Sequence, residues 1–302
     1  MDKLITILGP TASGKTNLAV HLAAQIDGEI ISADSRQVYR GMDIGTGKDL
    51  GEYIINGKNI PYHLIDIKDA GTEYNVFEFQ QDFIRVFKDI VSRGKTPILC
   101  GGTGFYLSAA LGRHQMISVP KNPALRVLCD SKTEEELVLQ ITSLKDLHND
   151  TDLSNRERVT RSIEIEIYKK ENPIPPAMPG IEHYVFGIET EREIVRKKIT
   201  KRLKSRLDGG MIKEVESLLS KGVSSKQLKL YGLEYRLVTE FIEGELNFND
   251  MFQKLNTAIH VFAKKQMTWF RKMQRNGTDI TWIKSDFTTD EKIIQIREVF
   301  NK

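Results

Sequence analysis

Apolar residues follow two different periods along the first third of the chain. Leu4–Leu8, Glu29–Ala33, His63–Asp66 and Pro97–Cys100 are short runs rich in β-branched residues, too brief for helices, and each predicts a buried strand. Between them, Lys15–Ile26 places Leu18, Leu22 and Ile26 on one helical face. Val76–Val91 does the same with Phe79, Phe83, Val86, Phe87 and Ile90. Strands alternating with helices predict an α/β fold, a parallel sheet flanked by helices.

From about residue 113 to 182 the pattern becomes polar and helical. Thr133–Leu147 and Arg156–Lys170 read as helices, the second stopped by Asn172-Pro173 and a loop holding Pro175-Pro176 and Pro179-Gly180. Tyr184–Ile188 returns to strand pattern, and Arg192–Arg275 is mostly helical, with Val195, Ile199 and Leu203 as an inward stripe. The expected organisation is a core begun by 1–112, a helical insertion over 113–182, and the rest of the core with C-terminal helices over 183–302.

Composition narrows the class. The 302 residues suggest about two domains or one core with a large insertion. With 40% hydrophobic and 28% charged residues the chain can bury a core, which excludes a mostly disordered protein. No run approaches the roughly 18 apolar residues of a membrane span. Leu4–Leu8 is too short for a signal peptide. Cys100 and Cys129 cannot make a disulfide framework or a four-ligand zinc site by themselves. A soluble, cytoplasmic protein with reduced thiols and no membrane partner is expected. The net charge of +3 decides nothing, but its distribution is uneven. Residues 192–206 hold eight basic side chains and one acid. Lys264, Lys265, Arg271, Lys272 and Arg275 lie in twelve residues free of acids, interleaved with Trp269 and Phe270.

The most specific chemistry lies between the first strand and the first helix. Gly9-Pro10-Thr11-Ala12-Ser13-Gly14-Lys15-Thr16 fits G-x-x-x-x-G-K-[ST], a loop whose amides converge on phosphate oxygens at a helix N-terminus. Lys15 adds a point charge, and the Thr16 hydroxyl suits Mg²⁺. The motif says polyphosphate without saying which one. A hydrolase of this type wants a carboxylate at the end of a later strand, yet Ile98-Leu99-Cys100 runs into Gly101-Gly102. The strand-end carboxylates are instead Asp34 and Asp66. Asp34 reads either as a turn residue or as a group facing a second substrate.

Gly9–Thr16, Ile31–Lys48, Pro61–Asp66, Gly101–Leu107 and Ala263–Arg271, in this order and spacing, resemble the tRNA dimethylallyltransferase family from Met1 to about Trp282. The resemblance implies transfer of a dimethylallyl group from dimethylallyl diphosphate to N6 of the adenosine just 3′ of the anticodon, tRNA position 37, with Mg²⁺ as cofactor and diphosphate as product. It implies Asp34 as general base, Lys15, Thr16 and Arg202 at the diphosphate, and Thr16 on Mg²⁺. For the tRNA it implies Asp34, Ser35, Arg36, Gln37 and Thr103 at the flipped adenosine. Arg126, Arg158, Arg161, Lys264 and Arg271 then fall to the anticodon stem-loop. Trp269 and Phe270 read either as stacking partners for unpaired bases or, the favoured reading, as core residues of an amphipathic helix.

The chain departs from the family pattern at several positions. Asn155 stands for a usual aspartate, Ser162-Ile163 for Ala-Leu, and Lys204 and Arg206 for an aspartate and a methionine. Tyr231-Gly232-Leu233-Glu234-Tyr235 replaces a Gly-Tyr core, and the insertion between Gly112 and Asn155 is short. A monomer is expected. Competing readings are an isopentenyltransferase acting on free AMP, an ATP-binding small-molecule kinase, and a non-catalytic tRNA-binding paralogue.

Overall fold

The computed structural model describes residues 1–113, 116–144, 153, 155–172 and 180–301. They form two compact units, Met1–His114 with Pro179–Lys302, and Gln115–Met178. The strands of the larger unit are β1 (Asp2–Leu8), β2 (Gly28–Ala33), β3 (Tyr39–Arg40), β4 (Ile54–Ile55), β5 (Lys58–Asn59), β6 (Tyr62–His63), β7 (Lys68–Asp69), β8 (Thr96–Gly101), β9 (Ile181–Glu189) and β10 (Ile280–Lys284). Six make one sheet in the order β10-β9-β1-β8-β2-β6, with every neighbouring pair parallel. The pairs β3–β7 and β4–β5 stand apart.

A parallel sheet must be covered on both faces, so its strands lose the alternation of a half-exposed strand. β1 is buried from Leu4 to Leu8, and all six residues of β2 are buried. The covering helices are α1 (Lys15–Ile26), α2 (Val76–Ser92) and α3 (Gly104–Ala110) from the first part of the chain. In α2 the five predicted apolar residues all face inward, and Asn75 with Glu78 forms a reciprocal cap at its start. Ile5, Ile7, Leu18, Leu22, Ile30, Ile98 and Phe186 meet in the central core. Burying one such side chain is worth roughly 1.5–3 kcal/mol.

The expected strand His63–Asp66 stops at His63. Leu64 (φ 62°) and Asp66 (φ 55°) take left-handed backbone angles that no strand accommodates. The turn brings Asp66 onto the Lys48 ammonium, which also meets Asp43 at 2.5 Å and the Tyr39 carbonyl at 2.7 Å. Lys48 is fully buried, so leaving it unpaired would cost several kcal/mol. Asp66 is thus a structural counter-ion.

The smaller unit packs α4 (Pro123–Asp130), α5 (Glu134–Leu144) and α6 (Arg156–Glu171) around Cys129, Leu137, Ile141, Val159 and Ile163. Asn155 caps α6 by accepting from the Arg158 amide at 3.0 Å, a role its amide oxygen fills as well as a carboxylate would. The end of the helix expected over 133–147, and the loop prolines 173, 175, 176 and 179, lie outside the described residues.

After β9 the larger unit continues with α7 (Arg192–Asp208), α8 (Met211–Ser220), α9 (Ser225–Leu228), α10 (Leu233–Ile242) and α11 (Phe248–Arg275). α12 (Thr289–Phe300) follows β10. Val195, Ile199 and Leu203 are the buried residues of α7, as their spacing predicts. Among the described residues no helix is long and apolar enough to cross a membrane.

Candidate diphosphate and adenosine site

The loop from Gly9 to Thr16 joins the buried end of β1 to the start of α1, at the edge where parallel strands present their C-terminal ends. Ala12 (φ 61°) and Gly14 (φ 86°) both adopt left-handed geometry, which turns successive amides toward one concavity. For Ala12 this costs roughly 1–2 kcal/mol, because its Cβ crowds the following carbonyl. Helix α1 has no side-chain cap and no acid in its first turn, so its amides and positive end are open to an anion. The loop is closed from within by a hydrogen bond from the Ser13 amide to the Pro10 carbonyl at 3.3 Å. Lys15 Nζ donates to the same carbonyl at 3.4 Å. Burial pushes the Lys15 pKa down, and Arg202 adds to this, while Asp34 opposes it. An anion in the loop would restore the full lysine charge.

The loop is also held from outside. Gln266 of α11 accepts from the Thr11 amide at 2.8 Å and donates to the Gly102 carbonyl at 2.9 Å. Its amide therefore ties the phosphate loop to the end of β8. The sequence reading missed this residue. The available signal was an amide at a buried position of the stripe Ile259, Ala263, Gln266, Phe270.

The end of β2 lies beside the end of β8, where the Thr103 amide donates to the Ala33 carbonyl at 3.3 Å. Asp34 follows directly. Its Oδ1 accepts from the Arg36 amide at 2.9 Å, so it is a turn residue as well as a half-buried carboxylate at the strand end. The Ser35 amide donates to Thr103 Oγ1 at 3.2 Å. Gln37 is engaged at both ends of its amide. It accepts from Ser32 Oγ at 3.1 Å and donates to the Gly47 carbonyl at 3.1 Å. Cys100 sits under the loop beside Thr16, and burial pushes its thiol up to about 12, which leaves it inert.

Arg202, from α7, forms an ion pair with Asp49 and approaches the Gly47 carbonyl at 3.4 Å. It borders a cleft shared with Thr11, Ala12 and Arg206. The segment carrying Gly47 is fixed by Glu214, whose carboxylate accepts from the amides of Asp43 (2.8 Å), Ile44 (2.7 Å) and Gly45 (3.0 Å) and from the Tyr235 hydroxyl (2.6 Å). Glu214 also went unseen in the sequence, since nothing local to it signals three distant amides. The structure therefore brings Gly9–Thr16, Asp34, Ser35, Thr103 and Arg202 to one edge of the sheet. No group of three His, Cys, Asp or Glu side chains suited to a metal occurs among the described residues.

The basic residues assigned to RNA fare differently. Lys264, Lys265, Arg271 and Arg275 are exposed on α11 and make no ion pair among the described residues. Phe270 is fully buried. Trp269 packs against Phe105 and donates its indole N–H to Ser108 Oγ at 3.1 Å, so it serves the junction of α11 with α3. In the smaller unit Arg126 and Arg161 are drawn inward by Glu164, a buried carboxylate of α6. Arg126 reaches it at 2.7 and 3.0 Å, and Arg161 at 2.9 Å. Arg161 further donates to the Val119 carbonyl at 2.6 Å. Burial alone would raise the Glu164 pKa, but these arginines and the Asn122 amide hold it at about 2. Arg158 is exposed on the same helix.

Comparison with known proteins shows the family. A family model described as IPP transferase matches residues 37–273, and one described as isopentenyl transferase matches residues 2–67. The chain is 54% identical over 300 residues to tRNA dimethylallyltransferase 1 of Parabacteroides distasonis, covering 99% of this chain and 98% of the relative. It is 51% identical over 296 residues to tRNA dimethylallyltransferase 2 of Bacteroides fragilis, covering 98% and 97%. A crystal structure of the tRNA isopentenylpyrophosphate transferase of Bacillus halodurans superposes with a TM-score of 0.72 at 29% identity, over 100% of this chain and 96% of that one. With a family model spanning residues 37–273 and half the residues shared with full-length relatives, the chain belongs to the IPP transferase family.

Proposed function

We propose that the protein transfers the dimethylallyl group of dimethylallyl diphosphate to N6 of adenosine 37 in the tRNA anticodon loop. The observation that carries this reading is the meeting of two unlike groups at one sheet edge. The phosphate loop, bordered by Arg202, leaves the end of β1 and the Asp34 carboxylate leaves the end of β2, on either side of β8, which ends in Cys100-Gly101 rather than an acid. That combination suits a diphosphate leaving from carbon better than a phosphoryl group attacked by water.

The residues divide the reaction between them. The allylic C–O bond breaks as the N6–C bond forms, and negative charge grows on the diphosphate. The loop amides, Lys15 and Arg202 stabilise that charge, each preorganised donor contributing a few kcal/mol. Asp34 accepts the N6 proton, which matters because the adenine lone pair is delocalised. One of its oxygens already holds the Arg36 amide, which orients the carboxylate. The adenine must leave its stack to reach this edge, where Thr103 Oγ1 and the Ser35–Arg36 turn lie beside Asp34. Mg²⁺ prefers oxygen donors and several waters. Thr16 would supply one hydroxyl, and with no cluster of three acids among the described residues the other oxygens would come largely from the diphosphate and solvent, which fits a metal that enters with the substrate. Bound there, Mg²⁺ would neutralise leaving-group charge. The exposed face of α11, with Lys264 and Arg271, is suited to RNA phosphates.

The deciding experiment incubates the protein with Mg²⁺ and either dimethylallyl diphosphate or ATP, offers unmodified tRNA or AMP, and identifies products by mass spectrometry. Prenylated tRNA is expected. Prenylated AMP, a phosphorylated product, or tRNA binding without turnover would each replace this reading with a competing one.

A further inference from the structure

Arg206 lies one helical turn beyond Arg202 on α7 and borders the same cleft as Thr11 and Ala12 of the phosphate loop. Its Nε and Nη2 are both buried and have no hydrogen-bond partner among the described residues. The nearest carboxylate oxygen in an ion pair with it, Asp49 Oδ2, is 3.9 Å from Nη2 and is already taken by Arg202. Nε and Nη2 form one edge of the guanidinium, the fork that accepts two oxygens of a phosphate.

Two guanidiniums side by side also need an explanation. Both lie against the backbone of Gly47, where φ is 63° and any Cβ would overlap the Arg206 guanidinium and crowd that of Arg202. Two adjacent, partly desolvated cations are unfavourable, and Asp49, paired with Arg202 and 3.9 Å from Arg206, sets one negative charge against two positive ones. Glu234 borders the cleft too, but burial pushes its pKa up, toward the neutral acid. The protein thus keeps an unfilled, buried fork beside a loop already built for phosphate.

We infer that Arg206 is a second diphosphate-binding residue, its Nε–Nη2 edge gripping one phosphate of the allylic diphosphate alongside Arg202. This rests on the proposal that the loop holds a diphosphate.

The test compares wild type, Arg206→Met, Arg206→Lys and Lys15→Ala, titrated with inorganic diphosphate and Mg²⁺ by calorimetry and followed by thermal melting. Removing a buried charged fork should weaken diphosphate about 10- to 100-fold. Lysine should recover only part of this, since it carries the charge without the fork. Ligand-free Arg206→Met should melt no lower than wild type, because unmet buried donors have gone, while diphosphate should raise its melting temperature less. In prenyl transfer the KM for dimethylallyl diphosphate should rise and that for tRNA should not. Diphosphate affinity within twofold of wild type would overturn the inference, and a lowered melting temperature with unchanged affinity would make Arg206 purely structural. Wild type that ignores diphosphate, or Lys15→Ala that binds it normally, would instead reject the parent reading.

Discussion

Gln266 and Thr11 are joined by a 2.8 Å hydrogen bond across 255 residues of sequence, and through it the longest helix of the protein holds the phosphate loop in shape. The bond anchors the loop at Thr11, next to the left-handed Ala12, so it bears on the loop geometry that would receive an anion. Gln266→Leu keeps the side-chain volume but leaves the Thr11 amide and the Gly102 carbonyl without partners. A loss of about 1–3 kcal/mol in stability follows from the two unmet groups. The KM for dimethylallyl diphosphate should rise about tenfold with a smaller fall in kcat. Chemical denaturation and steady-state kinetics check both, and an unchanged KM would confine Gln266 to a packing role.

Asp34 serves the turn and the chemistry with different atoms. If it accepts the N6 proton, Asp34→Ala should lower the single-turnover rate by roughly 10²–10⁴. Diphosphate affinity should stay close to wild type, because the loop is untouched. Rapid-quench measurement with pre-bound substrates separates the two quantities. A near-normal single-turnover rate would remove Asp34 from the base role.

Glu164 ties acid stability to the smaller unit. Its folded pKa of about 2 lies below the ordinary value of 4.5. Stability from this group is therefore fully present above about pH 4.5 and is lost as pH falls toward 2. Glu164→Gln removes that dependence and leaves Arg126 and Arg161 without their shared anion. The variant should be less stable at neutral pH by roughly 3 kcal/mol, as expected for breaking a buried pair, with a flatter stability profile between pH 5 and about 2. Helix content followed by circular dichroism against pH tests this. A parallel profile in the two proteins would deny Glu164 the role.

Lys264 and Arg271 present their charge to solvent with no ion pair among the described residues. Contacts with phosphate release counterions, each adding roughly 0.7–0.9 to the slope of log affinity against log salt. Reversing both residues to glutamate should flatten that slope by about two contacts and weaken all tRNAs alike, since phosphates carry no sequence. Prenylation at saturating tRNA should change less than twofold. Filter-binding titrations at several salt concentrations decide it, and an unchanged slope would place the RNA elsewhere.

The sequence by itself determined whatever is encoded over a few neighbouring residues. Gly9–Thr16 is eight consecutive positions whose geometry arises locally, and the strands and helices of the sheet announce themselves through buried runs and helical stripes. Val195, Ile199 and Leu203 were legible for the same reason. Only the tertiary structure decided which polar groups pair at long range, because such pairs leave no period and no motif. It ended the third strand early, since Asp66 neutralises Lys48. It turned Arg126 and Arg161 inward onto Glu164, and Trp269 toward Ser108. It placed Gln266 and Glu214, distant in the chain, as clamps on loops whose own residues do not specify them. It also set Arg206 beside Arg202 against Gly47, a juxtaposition made by packing α7 over a glycine more than 150 residues earlier.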